Sequence, residues 1–415
     1  MLLKTILNRI EKYKGFVYGK ARWSKDGKEI EIPIKPRKNG KAVCSGCGNP
    51  APGYDRLTER RFTYVPLWGI PVILLYAMRR VECSLCGVTV EAVPWATGKS
   101  PLTRSFALFL ATWARRLSWS EAGSIFGTTW NRVYDAVKWV VEYGLERRDI
   151  SDVTAIGVDE IQYSRGHKYL TLVYQINEGA RRLLYVGKDR TVKTLLRFFH
   201  DCGRSWCEHL QFVCSDMWKP YLKVIAKKVP QALHILDRFH IVANLGKALN
   251  KIRAGEARQM KRDGYEEHLK HTKYCFLKNP QNLTPSQKLK LGDVLQYDLK
   301  SVRAYLLKES FQLFWQYTSP YWARWYLKKW CARAMRSKLD PIKKFVRSVR
   351  RHEDLILNWF KAKKAFSSGV VEGLNRKVNL ITRKAYGHRS LEVLTIALFH
   401  SLGALPEPEM THRFC

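Results

Sequence analysis

The chain has 415 residues, of which 46% are hydrophobic. This length exceeds one ordinary hydrophobic core and predicts about three folded units, while the apolar content excludes a disordered chain. The 73 lysines and arginines outnumber the 36 acidic residues and give a net charge of +37. Such an excess favours a polyanionic partner such as nucleic acid. Ribosomal and membrane-surface proteins share it, so the charge alone does not select one class.

The sequence contains no apolar run of the length, about 18 residues, that spans a bilayer. The N-terminal residues 1–4 (MLLK) lack a signal-peptide pattern. Of the ten cysteines, four form two closely spaced pairs, and the others show no disulfide framework. These features predict a cytoplasmic protein without a membrane partner.

Residues 1–100 predict a small β module, because hydrophobic and polar residues alternate at 29–34 and 61–65 with Gly and Pro between. Two C-x-x-C pairs, each followed by glycine, are formed by Cys44, Cys47, Cys83 and Cys86. Two such turns aim four sulfurs inward and complete a tetrahedral thiolate site. We predict a zinc-ribbon DNA-binding domain whose structural Zn²⁺ folds the module and takes no part in catalysis.

Residues 101–150 change to a helical period. Ser118 and Glu121 fit a capping box that begins a helix, and residues 126–128 (FGT) supply a stop and a second N-cap. A short helix, a glycine turn and a longer helix indicate a helix-turn-helix, although an ordinary helical hairpin has the same signature. On the first interpretation, the outward residues that meet DNA are Thr129, Asn131 and Arg132.

Residues 151–242 predict a mixed β-sheet, because three strands are followed by a helix, a strand, a helix and a strand. Asp159 closes the first strand and Asp216 follows the fourth. A carboxylate at the end of a buried strand is unfavourable unless something cationic meets it. If the first and fourth strands are adjacent at the centre of the sheet, these two acids converge.

Residues 243–366 predict a basic, all-α insertion, since no strand series occurs there. Its aromatic residues include Phe314, Trp315, Trp322, Trp325, Tyr326 and Trp330. Such stripes usually belong to a helical core, but a tryptophan could also stack on an unpaired base.

Glu372 lies much further along the chain, where Ser367 or Ser368 could cap a helix that directs it back to the sheet. Carboxylate oxygens on rigid elements suit Mg²⁺. Two ions about 4 Å apart can activate a water or a 3′-hydroxyl and stabilise the leaving oxygen of an in-line displacement. Spacing alone does not single out three acids among 36.

Several segments together resemble the DDE transposases of the ISL-three insertion-sequence family. They are residues 157–160 (GVDE), 215–221 (SDMWKPY), 237–240 (DRFH), 371–377 (VEGLNRK) and 383–387 (RKAYG). The N-terminal cysteine pairs and the helical pair precede them in the family's order. The resemblance therefore covers nearly the whole chain.

The resemblance implies a multidomain α+β protein with a ribonuclease-H-like core that the all-α insertion interrupts. It assigns the catalytic, magnesium-binding triad to Asp159, Asp216 and Glu372. Asp237 and His240 match a D-x-x-H element in which His240 contacts DNA or is simply structural. The basic residues that could hold DNA phosphates are Arg376, Lys377, Arg383 and Lys384, unless they form a solvated face. Glu160 competes for a metal role, but strand alternation turns it away from Asp159.

We expect five segments: a zinc ribbon (1–100), a helix-turn-helix (101–150), the two catalytic parts (151–242 and 367–415) and the helical insertion (243–366). The expected function is a bacterial insertion-sequence transposase that binds terminal inverted repeats and target DNA as a homodimer. It would cleave and join DNA with Mg²⁺ or Mn²⁺. The alternatives are a non-catalytic DNA-binding regulator and a ribonuclease-H-like nuclease that cuts without joining.

Overall fold

The computed structural model describes residues 2–164, 166, 168–266, 268–364, 369–384 and 390–409. The chain forms two compact units. The first comprises Met1–Asp149 and Val378–Cys415, and the second comprises Ile150–Lys377. Each unit contains both strands and helices, which confirms a mixed α+β protein.

A β module begins the first unit. Its elements are α1 (Leu3–Ile10), β1 (Phe16–Tyr18), β2 (Arg22–Trp23), β3 (Ile30–Pro36), β4 (Ala42–Val43), β5 (Pro50–Ala51), β6 (Gly53–Leu67), β7 (Ile70–Cys83) and β8 (Gly87–Val90). The main sheet has the order β1-β3-β7-β6, with β2 on β3 and β8 on β7, while β4 pairs with β5. Alternate residues Ile30, Ile32 and Ile34 of β3 are buried in a core that includes Trp95.

Three helices follow: α2 (Arg104–Ala114), α3 (Trp119–Ile125) and α4 (Trp130–Arg147). The predicted capping box is present, because Ser118 Oγ accepts from the Glu121 amide at 3.2 Å and Glu121 Oε2 accepts from the Ser118 amide at 2.7 Å. The second N-cap differs by one residue from the prediction. Thr129, rather than Thr128, caps α4, because Thr129 has the extended backbone of an N-cap and its side chain accepts from the Arg132 amide.

The second unit begins with the strands and helices predicted for residues 151–242, plus one short helix. They are β9 (Ala155–Ser164), β10 (Lys168–Gln175), β11 (Arg182–Lys188), α5 (Val192–Cys202), α6 (Arg204–His209), β12 (Phe212–Ser215), α7 (Lys219–Lys228) and β13 (Leu233–Leu236). The sheet order is β11-β10-β9-β12-β13. The β9–β10 and β10–β11 pairs are antiparallel, whereas β12 runs parallel to both β9 and β13. The first and fourth strands are therefore neighbours, as the converging acids require.

Helices make up the remainder of the second unit. They are α8 (Arg238–Arg262), α9 (Lys273–Leu277), a 3-10 turn (Pro280–Asn282), α10 (Pro285–Val294), α11 (Lys300–Phe314), α12 (Pro320–Met335), α13 (Asp340–Arg351), α14 (Glu353–Lys361) and α15 (Gly369–Lys384), which continues past Lys377. The described part of residues 243–364 contains no strand, which confirms the predicted helical character.

Of the six aromatic residues singled out in this helical segment, five divide into a buried and an exposed set, and Tyr326 is half-buried. Phe314, Trp315 and Trp330 are buried, as expected of core residues. Trp322 and Trp325 are 53% and 43% exposed on α12. The predicted aromatic core therefore accounts for only part of the stripe.

The last helix, α16 (Leu391–Leu402), belongs to the first unit and packs on α4. The segment after it approaches α4 so closely that a Cβ at Gly144 would lie 2.6 Å from Leu405 Cβ. None of the described helices combines the length and the apolar character needed to cross a bilayer.

Candidate active site and cysteine cluster

Four cysteines converge at two turns of the β module. The donor atoms of Cys44, Cys47, Cys83 and Cys86 all lie within 4.8 Å of one another. A four-thiolate zinc site has Zn–S distances of about 2.3 Å, which separates its sulfurs by about 4 Å. The cluster therefore fits a tetrahedral zinc ion.

The backbone and a neighbouring hydroxyl prepare these turns for a cation. Gly48 and Gly87, which follow the two pairs, have φ of 75° and 70°, a conformation that glycine adopts without strain. Thr89 Oγ1 lies 3.2 Å from Cys44 Sγ, and the Gly46 amide donates to the same sulfur at 3.4 Å. Hydrogen bonds from Thr89 and from backbone amides lower the pKa of Cys44 to about 6. This favours the thiolate that metals bind.

Asp159 and Asp216 lie side by side in the second unit's sheet, Asp159 in the middle of β9 rather than at its predicted end, and Asp216 directly after β12. Cys214 of β12 is in register with Gly157 of the parallel strand β9. Each aspartate follows this pair by two residues, so parallel pairing brings the two acids level. Both line one pocket, together with Asp237 and Val371. The structure thus brings the first two predicted acids together.

Asp159 is 9% exposed and is surrounded by polar partners. Asn375 Nδ2 donates to its Oδ2 at 2.5 Å, and the Glu160 amide donates to its Oδ1 at 2.8 Å. Burial raises the pKa of Asp159, and the nearby His240 acts in the opposite direction. A carboxylate buried in this way is stabilised in its charged form by hydrogen bonds or by a cation.

The D-x-x-H element stands beside Asp159. Asp237 Oδ1 accepts from the Phe239 amide at 2.6 Å and caps the start of α8. One turn later, His240 Nε2 lies 3.7 Å from Asp237 Oδ2 and 3.9 Å from Asp159 Oδ1. The His240 side chain is 36% exposed, so it can reach a ligand beside Asp159.

Asp216 is held by a group that the sequence did not suggest. Its Oδ1 accepts from the Trp218 amide at 2.8 Å, and its Oδ2 accepts from Arg190 at 2.8 Å. Arg190 Nε also lies 3.0 Å from Glu160 Oε1. Burial, and then the charge of Asp216, raise the pKa of Glu160 to about 8. Glu160 therefore shares Arg190 with Asp216.

Glu372 is positioned by the close approach of α15 to β9. A Cβ at Gly157 would lie 2.6 Å from Val371 Cγ2, so glycine is needed there. The Glu372 carboxylate accepts from Arg376 at 2.6 Å and is 33% exposed. The predicted capping residues, Ser367 and Ser368, lie outside the described residues.

Asn375 is a site residue that the sequence reasoning did not single out. Its Oδ1 accepts from the hydroxyl of buried Tyr174 at 2.8 Å, which orients its NH₂ group toward Asp159. A signal was available, because Asn375 follows Glu372 by almost one helical turn in a segment that carried the resemblance. Arg190 offered no comparable signal.

The predicted DNA-contacting residues occupy varied environments. Thr129, Asn131 and Arg132 are exposed at the start of α4, where Thr129 is also the cap. Arg376, Lys377 and Arg383 are exposed on α15. Within the first unit, Lys384 Nζ donates to the carbonyls of Arg115 and Arg116 after α2.

The sequence matches known transposases over most of its length. A family profile described as "Transposase" (DDE_Tnp_ISL3) matches residues 156–398. This is more than half of the chain, so the chain belongs to the ISL3 family of DDE transposases, as the sequence motifs indicated. Membership implies the use of a divalent metal ion.

Curated relatives agree with this assignment. The transposase for insertion sequence element IS1001 of Bordetella parapertussis is 25% identical over 94% of this chain and 96% of its own length. The transposase for IS1557 of Mycobacterium tuberculosis is 30% identical over 89% of this chain and 87% of its own length. The protein is therefore a DNA transposase, and DNA is its partner.

Proposed function

We propose that this transposase cleaves and joins DNA with two divalent ions held by Asp159, Asp216 and Glu372. The observation that carries the proposal is the level arrangement of the two aspartates on adjacent parallel strands. The packing of α15 on Gly157 brings the Glu372 helix to the same strand. The order of the five strands also supports a ribonuclease-H-like core.

The donor set suits magnesium or manganese. Carboxylate oxygens are the ligands that these hard cations prefer, and burial of Asp159 favours a nearby positive charge. When bound, the ions activate the attacking water or 3′-hydroxyl and stabilise the leaving oxygen. The Glu372 carboxylate is paired with Arg376 in the structure, so it would have to leave that pair to join the two aspartates.

The remaining groups at the site would position DNA. His240 projects beside Asp159 and can donate to a phosphate oxygen of the cleaved strand. Arg376, Lys377 and Arg383 offer exposed positive charge along α15 and would hold flanking phosphates. Lys384 already donates to two backbone carbonyls, so it can bind a phosphate only if these two hydrogen bonds break.

In the first unit, we assign structural zinc to the cysteine cluster and recognition of the terminal inverted repeats to the zinc ribbon with α3 and α4. The exposed start of α4 presents Thr129, Asn131 and Arg132, which suits a recognition helix whose N-terminal residues contact base edges. Two element ends must be joined to one target. We therefore expect a homodimer on DNA.

The decisive experiment compares the variants Asp159→Ala, Asp216→Ala and Glu372→Ala with wild type in excision and integration of a matching element. Each should lose activity by at least about a thousandfold while binding element ends normally. Asp201→Ala removes an exposed aspartate of α5 and should remain active. Persistent cutting and joining by Asp216→Ala would place the active site elsewhere, and cutting without joining by wild type would indicate a nuclease.

A further inference from the structure

Arg190 occupies the position of a cation between two acids. Its guanidinium lies 2.8 Å from Asp216 Oδ2 and 3.0 Å from Glu160 Oε1. The side chains of Glu160 and Asp216 are only 7% and 16% exposed. Burial and the proximity of a second acid both disfavour the charged forms of these carboxyl groups, and a positive charge between them offsets part of that cost. Arginine retains its charge in proteins, so this positive charge is permanent.

The surrounding structure holds Arg190 in place from three sides. The preceding residue, Asp189, has a φ of 67°, the left-handed region that aspartate adopts more readily than most residues. The Asp189 carbonyl accepts from buried Thr171 at 2.8 Å. The guanidinium carbon lies 4.4 Å from the centre of the Trp218 ring, within the range of a cation–π contact. Arg190 is therefore placed by backbone, hydrogen bond and ring together.

We propose that Arg190 is a positioning residue that serves as the resident counter-ion of the Glu160–Asp216 pair and competes with divalent ions for Asp216. This inference rests on the proposed metal role of Asp216. A metal ion that uses Asp216 Oδ2 meets a fixed positive charge 2.8 Å from that oxygen. Arg190 thus keeps the acids in position without metal and lowers their metal affinity.

Binding of Mn²⁺ to the full-length protein, followed by electron paramagnetic resonance, tests this competition. Arg190→Gln should bind Mn²⁺ at least about tenfold more tightly, because a neighbouring positive charge is removed. Arg190→Lys keeps the charge but cannot make both contacts of the planar fork. Its affinity should lie between those of wild type and Arg190→Gln. An arginine with a purely structural role would not produce this order.

A matched control is Arg182→Gln, which removes another arginine–carboxylate pair, with Asp152, from the same unit. Its Mn²⁺ affinity should equal that of wild type. Unchanged or weaker Mn²⁺ binding by folded Arg190→Gln overturns the proposal. If that variant does not fold, unchanged affinity in Arg190→Lys overturns it equally.

The same titration separates this inference from the proposed function. Asp216→Asn should lose Mn²⁺ binding if the acids hold metal. Normal binding by Asp216→Asn, or no binding by wild type, contradicts the metal site itself. Loss of binding in Asp216→Asn with unchanged affinity in Arg190→Gln contradicts only the role of Arg190.

Discussion

The two candidate metal sites of this transposase are built in opposite ways. In the cysteine cluster, four sulfurs lie within 4.8 Å of one another on two turns of one small module. The catalytic candidates instead bond to other side chains: Asp159 to Asn375, Asp216 to Arg190 and Glu372 to Arg376. Within the described residues, no three acids or histidines come as close together as the cysteines.

This difference agrees with what each site has to do. A structural zinc site is closed by four protein ligands and keeps its ion as part of the fold. Catalytic magnesium keeps waters and shares its coordination with substrate phosphates. In the proposed catalytic site, protein groups would therefore compensate the acids before metal and DNA bind. We expect loss of a ligand to unfold the first site and loss of a partner to weaken the second.

The largest effect is expected from Cys86→Ser. Structural zinc contributes about 10–16 kcal/mol of binding energy to small zinc modules, so removal of one thiolate should release the ion and unfold the β module. The measurements are zinc content and limited proteolysis of the first unit. Cys202→Ser, at a half-buried cysteine of α5, should retain both zinc and protease resistance. Full zinc content in Cys86→Ser would contradict a four-thiolate site.

An intermediate effect is expected from Asn375→Ala. The Asn375 amide donates to Asp159, a proposed metal ligand, and loss of such a partner typically reduces activity about 10- to 100-fold. The DNA cleavage rate at element ends should fall by this amount while DNA affinity is retained. Asn379→Ala, at an exposed position further along α15, should cleave normally. Equal rates for Asn375→Ala and wild type would show that Asp159 needs no amide partner.

A smaller decrease in cleavage rate is expected from Tyr174→Phe, which removes the hydrogen bond to Asn375 and leaves Asn375 itself in place. The ring still fills its buried position, but the hydroxyl that orients Asn375 is lost. A neutral hydrogen bond contributes about 1 kcal/mol, which corresponds to about a fivefold lower cleavage rate. A decrease as large as that of Asn375→Ala would mean that the tyrosine controls more than the orientation of the amide.

The sequence predicted the elements of both sites better than their contacts. The prediction that Asp216 directly follows the fourth strand is confirmed, because β12 ends at Ser215. The prediction that Asp159 closes the first strand is wrong, because β9 continues to Ser164 and still pairs with β10 beyond Asp159. Short-range periodicity reports burial, and it does not report how far a hydrogen-bonded strand extends. The cysteine pairs were equally visible, since each pair is local in sequence. The helix cap was displaced by one residue, from Thr128 to Thr129, because several adjacent polar residues can serve at such a boundary.

The partners of the acids were not predictable in the same way. Asn375 and Asp159 are 216 residues apart, and their bond depends on the packing of α15 against Gly157. Arg190 follows β11 in a turn whose backbone is fixed by Thr171 of β10. Neither position has a periodicity or spacing that identifies its contact. Such partners emerge only when the sheet order and the helix packing are known.

The smallest effect on stability is expected from Arg376→Gln, which removes the exposed partner of Glu372. Arg376 and Glu372 are 75% and 33% exposed, and an exposed i,i+4 pair contributes about 0.2–0.5 kcal/mol. The free energy of unfolding should change by no more than this amount. If Arg376 holds a phosphate, the slope of the logarithm of the DNA-binding constant against the logarithm of salt concentration should become less steep by about 0.9. Arg204→Gln removes a similar pair with Glu208 in α6. It should leave the slope unchanged, and equal slopes for the two variants would show that Arg376 only screens Glu372.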